Sequence, residues 1–300
     1  MKDVFIKSLL NYTGGKYELL PQILPLLPQN INTFYDIFGG GFNVGINIKC
    51  EKVVYNDLLK PLVDMMSYLK SQTLNEIQDY IETTIKEYEL TKSNKDGFIS
   101  FRNTYNKTKN PIDLYILSCY SFNCMIRYNS KMEFNMPFGN RSFSDSMKNN
   151  LIQFRNKLDN IDVSFTSFNF KDINIDNINN EDFIYCDPPY LISNASYNEK
   201  RGFDGWNTST ETDLYIWLDK LNDKDVKFAL SNVIHHKGLT NDILIEWSKK
   251  YHTTYLNKHY ATCNYHQKNR NKDETTEVLI TNYIPEVKEE KTLFDEMFGI

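Results

Sequence analysis

Three hundred residues, 41% of them hydrophobic, suffice for one α/β domain with a smaller domain inserted into it. No apolar run is long enough to span a membrane, and Met1 to Lys7 is too short for a signal peptide, so the expected location is the cytoplasm. The net charge of −5 excludes an overall basic surface, and five cysteines (Cys50, Cys119, Cys124, Cys186, Cys263) without a Cys-x-x-Cys point to neither a disulfide framework nor a zinc knuckle.

The first patterned segment is Asn11-Tyr12-Thr13-Gly14-Gly15-Lys16. Gly14 and Gly15 permit close backbone approach, and Lys16 can reach a carboxylate or phosphate; alone, the segment also reads as a helix-start loop. A helix to about Leu27 follows, punctuated by Pro21, Pro25 and Pro28. Phe34 to Phe38 reads as a buried strand (33–38) entering Gly39-Gly40-Gly41-Phe42-Asn43-Val44-Gly45, with a helix over 43–48. Strand, glycine turn and helix form a nucleotide-cofactor architecture, although the sixth position of a dinucleotide fingerprint is not glycine. A short strand, 53–56, ends at Asp57, whose carboxylate could hold the two hydroxyls of a ribose or simply cap a helix over 58–69.

Apolar spacing then predicts helices over 58–69, 74–90, 97–108 and 112–124. A hairpin-like stretch, 126–135, has turn chemistry at Asn129-Ser130-Lys131. Lys92, Lys95, Arg102, Lys107 and Lys109, with Arg127, Lys131, Arg141, Lys148, Arg155 and Lys157, could assemble a local basic face despite the acidic total. Further strands are expected at 162–167, 183–186, 226–231, 253–258 and 275–283, completing a sheet of about seven strands. His252, His259 and His266 recur at an interval that misses common zinc patterns, and no metal is expected.

The strand Phe183 to Cys186 ends in Asp187-Pro188-Pro189-Tyr190. An exocyclic amine on a nucleobase is a poor nucleophile because its lone pair is delocalised into the ring. Asp187 and the Pro188 carbonyl can accept both amine hydrogens and favour the tetrahedral nitrogen that attacks a methyl donor. The paired prolines fix the direction of those acceptors, and the Tyr190 ring offers a face for an extruded base. The same tetrapeptide is also compatible with an ordinary turn. Downstream, 191–206 reads as a loop, Ser231 and Asn232 lie at a strand's carboxyl end as either ligand contacts or a helix cap, 258–272 is a basic, polar stretch, and Glu286 to Glu296 is acidic.

The three segments, in this order, resemble the Dam-like (alpha group) DNA adenine-N6 methyltransferases over roughly Asn11 to Tyr283. The resemblance implies a Rossmann-like seven-stranded methyltransferase fold with an inserted, mostly helical target-recognition domain carrying a β-hairpin. It places the catalytic domain in 1–57 and 160–284, the insert in 58–159 and an acidic tail in 285–300. The implied cofactor is S-adenosylmethionine, bound by Tyr12, Gly14, Gly15, Lys16, Asp36, Phe38, Gly39, Gly40, Gly41, Asp57 and Asp187. Asp187, Pro188, Pro189 and Tyr190 would carry the chemistry on an adenine flipped out of double-stranded DNA. Asn11, Phe122, Asn123, Arg127 and Asn135 would contact DNA, with Phe122 entering the base stack and Arg127 reading a guanine edge. Asp36 stands where the family has proline, and Asn11 where members that methylate GATC usually have lysine. Cytosine-N4 methylation and a catalytically silent DNA-binding regulator are the alternatives. A monomer is expected, either solitary or partnered by a nearby restriction endonuclease.

Overall fold

At the centre of the sheet lie two strands buried on both faces, β1 (Thr33–Asp36) and β4 (Phe183–Cys186), paired in parallel with Phe34 opposite Phe183. The computed structural model describes residues 5–11, 14–193, 205–256 and 275–286. β2 (Lys52–Asn56) and β3 (Val163–Thr166) extend the parallel sheet on one side, and β5 (Lys227–His236) extends it on the other. β8 (Thr276–Thr281) pairs antiparallel with β5 and with the edge strand β7 (His252–Leu256), while the two-residue β6 (Leu239–Thr240) folds back on β5. The order is therefore β3-β2-β1-β4-β5-β8-β7, an α/β fold with a mixed sheet of about seven strands. The chain leaves β1 toward β2 but returns to β4 on the opposite side. Loops at that switch point diverge and open a crevice at the carboxyl ends of the strands.

Strand alternation feeds two cores. Phe183 and Tyr185 of β4 join one apolar cluster, whereas Ile184 and Cys186 join the other. The first cluster also takes in Phe34 and Tyr55 of the sheet, the helices α2 (Lys60–Ser71), α3 (Leu74–Glu87), α4 (Lys95–Thr108), α5 (Pro111–Tyr120) and α6 (Asp145–Asp159), and Phe134 and Met136 of the hairpin. α5 is buried from Ile112 to Tyr120 and forms the centre of that layer. α7 (Thr208–Asn222) and α8 (Asp242–Ser248) cover the opposite face.

Local chemistry explains where the helices begin and end. Thr73 and Glu76 form a reciprocal capping box for α3, Asn94 and Ser144 cap α4 and α6, and Pro61 and Pro111 occupy the first turns of α2 and α5. Three expected helices differ, one of them 112–124, which as α5 ends at Tyr120 before extended Ser121 and a separate 3-10 turn at Phe122–Cys124. The helix to Leu27 is broken into α1 (Leu20–Ile23) between 3-10 turns at Tyr17–Leu19 and Leu24–Leu26, because Pro21 and Pro25 each start a new segment. Residues 43–48 form turns rather than a regular helix. There Phe42 adopts a left-handed backbone (φ +61°), and the side chains of Asn43 and Asn47 bond the backbone of Ser8 and Ile6 instead of supporting helix. The hairpin forms as expected, bridging Tyr128 to Phe134, and Asn129 accepts from the Lys131 and Glu133 N–H groups at its tip. Among the described residues no helix is long and apolar enough to cross a membrane.

Candidate active site

Beyond β1 the chain turns through Gly39, Gly40 and Gly41 and is held against β2 at two points. The Gly39 N–H donates to the Asn56 carbonyl, and the Tyr55 hydroxyl donates to the Gly40 carbonyl, both at 2.8 Å. At Gly39 the requirement is space, since a Cβ would lie 2.3 Å from the Tyr55 ring; at Gly40 it is conformation, with φ at +47°. Asp57 closes the turn, accepting from the Gly40 N–H at 2.9 Å and the Leu59 N–H at 2.8 Å. Burial raises its carboxyl, and those two N–H groups oppose the rise. α2 starts without a side-chain cap, so Asp57 holds the turn rather than capping that helix. Asp36 is buried and accepts from the Gly45 N–H at 3.2 Å. Burial, countered by that hydrogen bond and reinforced by the charges of Asp187 and Asp57, pushes its carboxyl up to about 8.

The residues after β4 meet the first glycine loop. Lys16, 3% exposed, places its ammonium 2.7 Å from Oδ1 of Asp187 and donates to the Gly14 carbonyl at 2.8 Å. The same ammonium sits 4.9 Å from the centre of the Tyr190 ring, and the Tyr190 hydroxyl donates to Asp187 at 3.0 Å. Burial raises the Asp187 carboxyl, while Lys16 and Tyr190 pull it down. Lys16, expected in the cofactor pocket, thus also belongs to the Asp187 constellation.

These loops enclose a cleft of about 740 Å³, within the range of small-molecule and cofactor sites. Every described residue expected to bind cofactor or carry chemistry lines it, from Gly14 through Asp57 to Tyr190; Tyr12 lies outside the described residues. Residues not singled out from the sequence complete the wall: Phe168 to Lys171 after β3, and Trp206, Asn207, Thr210 and Asp213 around the start of α7. For Phe168 to Lys171 the available signal was position, just past the carboxyl end of β3. Asn56 fixes the first group, donating to the Ile37 and Phe168 carbonyls and accepting from the Phe168 N–H at 2.8 Å. Ser231 and Asn232 do not line the cleft but brace it, Ser231 through the Tyr185 hydroxyl at 2.7 Å and Asn232 through the Glu211 carboxylate at 3.2 Å.

A profile of the D12 class N6 adenine-specific DNA methyltransferase family matches residues 12–273. The chain belongs to this family. It is 48% identical over 284 residues to modification methylase StsI of Streptococcus sanguinis, and 48% identical over 282 residues to the type II methyltransferase M.FokI of Planomicrobium okeanokoites. Each alignment covers 93% of this chain and 43% of the relative, so the chain spans less than half the length of these two proteins. The DNA adenine methylase of Escherichia coli K12 is 25% identical over 210 residues, 69% of this chain and 71% of that protein.

In this D12 class chain the candidate DNA contacts form two pairs. Asn11 donates to the Asn123 carbonyl at 2.7 Å, beside Phe122, which is 52% exposed, and Asn123 and Cys124 both adopt left-handed backbone. Arg127 donates from Nε to the Asn135 side chain at 2.7 Å and from Nη2 to its backbone carbonyl at 2.8 Å. The basic face is narrower than its lysines and arginines suggest. Arg155 is buried, bonded to the Gln72 and Lys70 carbonyls and paired with Asp159 at 2.5 Å, and so it ties α6 to the end of α2. Lys148 pairs with Glu82, and Arg102 and Lys109 hold the Met136 and Met132 carbonyls of the hairpin. Most of the 191–206 loop, the 258–272 stretch and the acidic tail beyond Glu286 lie outside the described residues.

Proposed function

We propose that this chain transfers a methyl group from S-adenosylmethionine to N6 of an adenine flipped out of duplex DNA. The observation that carries the reading is the joining of Asp187-Pro188-Pro189-Tyr190 and the glycine turn after β1 in one cleft. The cleft's volume and its buried carboxylates fit a cationic nucleoside cofactor, for which Asp57 would bind the ribose and Gly39 to Gly41 would flank the methionine part. When bound, that cofactor supplies the electrophilic methyl. Asp187 and the Pro188 carbonyl would accept the two amine hydrogens and localise the nitrogen lone pair, with Tyr190 stacked on the base. Lys16 would keep Asp187 ionised and therefore able only to accept. Phe122 would fill the space beside the extruded base, and Arg127 would read a guanine edge once released from Asn135. The names of the 48% identical relatives, a modification methylase and a type II methyltransferase, support a role in restriction-modification, for which a restriction endonuclease would be the partner.

The test is incubation with labelled S-adenosylmethionine and unmodified DNA, followed by nucleoside mass spectrometry and modification-aware sequencing, with Asp187→Ala alongside. N6-methyladenine, abolished in the variant, is the expected result and also yields the target sequence. N4-methylcytosine would select the cytosine reading, and DNA binding without methylation the regulator reading.

A further inference from the structure

The second strand of the hairpin has two backbone edges, and only one faces the chain that precedes the hairpin tip. Odd-numbered residues bond there. The Asn129 N–H donates to the Glu133 carbonyl at 3.0 Å, the Asn135 N–H to the Arg127 carbonyl at 2.9 Å and the Phe122 N–H to the Pro137 carbonyl at 2.9 Å. The carbonyls of even-numbered residues turn the other way, as the alternation of an antiparallel ladder requires, and among the described residues no third strand meets them. Side chains of α4 meet them instead. Arg102 donates to the Met136 carbonyl at 3.1 Å, and Lys109, the C-cap, donates to the Met132 carbonyl at 2.6 Å. Between them Asn106 accepts from the Phe134 N–H at 2.7 Å and donates to the Phe134 carbonyl at 3.1 Å. Positions 102, 105, 106 and 109 share one helical face. Tyr105 pairs its hydroxyl with that of Tyr128, and the Lys109 ammonium lies 5.4 Å and 6.0 Å from the centres of those two rings. One face of a helix thus stands in for a missing strand.

We propose that Arg102, Asn106 and Lys109 are specificity-determining positioning residues, which touch no base but hold the hairpin where Arg127 meets its guanine. Tyr128 and Phe134, bridged across the hairpin, turn their rings toward Tyr105, so alternation sends Arg127 and Asn135 to the opposite face. The carbonyls of Phe134 and Met136, the residues on either side of Asn135, are the ones that Asn106 and Arg102 bind. A binding group must be held to within about 0.5 Å of its productive geometry, and here the holding comes from the helix behind the hairpin. A phosphate contact is the other use a cation beside a DNA-facing element could have. Losing one would lower affinity for every sequence alike and reduce the salt slope by about one, whereas losing a positioning bond lowers the preference for the right base.

The inference rests on the reading of Arg127 as a guanine contact, and one set of measurements separates the two. Once modification-aware sequencing has given the target, kcat/KM for methylation is measured on duplexes altered at one base pair at a time. Arg127→Ala should lose discrimination at a single pair. Arg102→Met and Lys109→Met should each lose about tenfold in discrimination at that same pair, within what one bidentate base contact supplies. Arg102 is half-buried and Lys109 exposed, so neither variant opens a cavity in the core. Affinity for the product S-adenosylhomocysteine and the salt slope of DNA binding should stay those of the unaltered chain. Lys109→Arg, which keeps a donor for the Met132 carbonyl, should retain the discrimination. Undiminished discrimination in both methionine variants, a loss at a different base pair, or a uniform loss with a shallower salt slope would overturn the inference and leave Arg127 in its role. If Arg127→Ala relaxes no single pair, or the unaltered chain methylates no DNA, the underlying reading falls and this inference falls with it.

Discussion

Lys16 is shielded from solvent and directs its ammonium to Asp187, the Gly14 carbonyl and the Tyr190 ring. Lys16→Met leaves a buried carboxylate without its counter-charge, and removing one partner of such a pair costs about 3–5 kcal/mol. Asp187 keeps some solvent contact, so the lower end of that range is expected in urea denaturation, with single-turnover methylation falling about 100-fold. Asp36 gives a pH signature. In the folded chain it holds its proton up to about 8, whereas unfolded it releases the proton near the ordinary carboxylate value. The folded state therefore binds the extra proton in that window, and stability falls as pH rises through it. Asp36→Asn keeps an acceptor for the Gly45 N–H and removes the titration. Its stability, measured by urea denaturation from about pH 5 to about pH 9, should decline less than that of the unaltered chain. Gly39→Ala should destabilise by about 1–3 kcal/mol and weaken cofactor binding, because its Cβ would have to displace Tyr55.

Among the elements, the hairpin has a pin that can be withdrawn separately. Asn106 of α4 accepts from the Phe134 N–H at 2.7 Å and donates to the Phe134 carbonyl at 3.1 Å. Asn106→Ala should weaken DNA binding in a fluorescence titration while leaving S-adenosylhomocysteine binding intact, with a stability loss of about 1–3 kcal/mol. The expected strand 183–186 matches β4 end to end, because a four-residue apolar run bounded by Asp182 and Asp187 has clear limits. β1 stops two residues short of the expected 38, where Ile37 and Phe38 enter the glycine turn. α6, α7 and α8 were not anticipated, although Leu151, Phe154 and Leu158 on α6 and Leu214, Leu218 and Leu221 on α7 carry helical spacing. What the sequence could not disclose was partnership across space. The bonds of buried Arg155 to Gln72, the Lys16–Asp187 pair and the Asn241–Glu211 bond each join residues whose local surroundings say nothing of the other.

For the molecule as a whole, a net charge of −5 and the use of Arg102, Lys109, Lys148 and Arg155 in contacts within the protein leave, of the expected basic face, Lys92, Lys95, Lys107, Arg127, Lys131, Arg141 and Lys157 for phosphate. Binding to a target duplex should therefore show a shallow salt dependence, with a log–log slope of about −3 to −5, and exposed Lys131→Ala should reduce it by about one. A slope near zero would mean that the hairpin is not the DNA-facing surface. Phe134 and Met136 of the hairpin share one apolar cluster with Phe34 and Phe183 of the sheet. Among the described residues, the hairpin proposed to read DNA and the cleft proposed to carry the chemistry are thus packed on one core. Transplanting the hairpin of a relative to change the sequence read would import foreign shapes into the core beneath Asp187 and tilt the chemistry along with the address. Retargeting should begin at the solvent-facing positions between those two anchors, where the wording can change and the binding of the book stays whole.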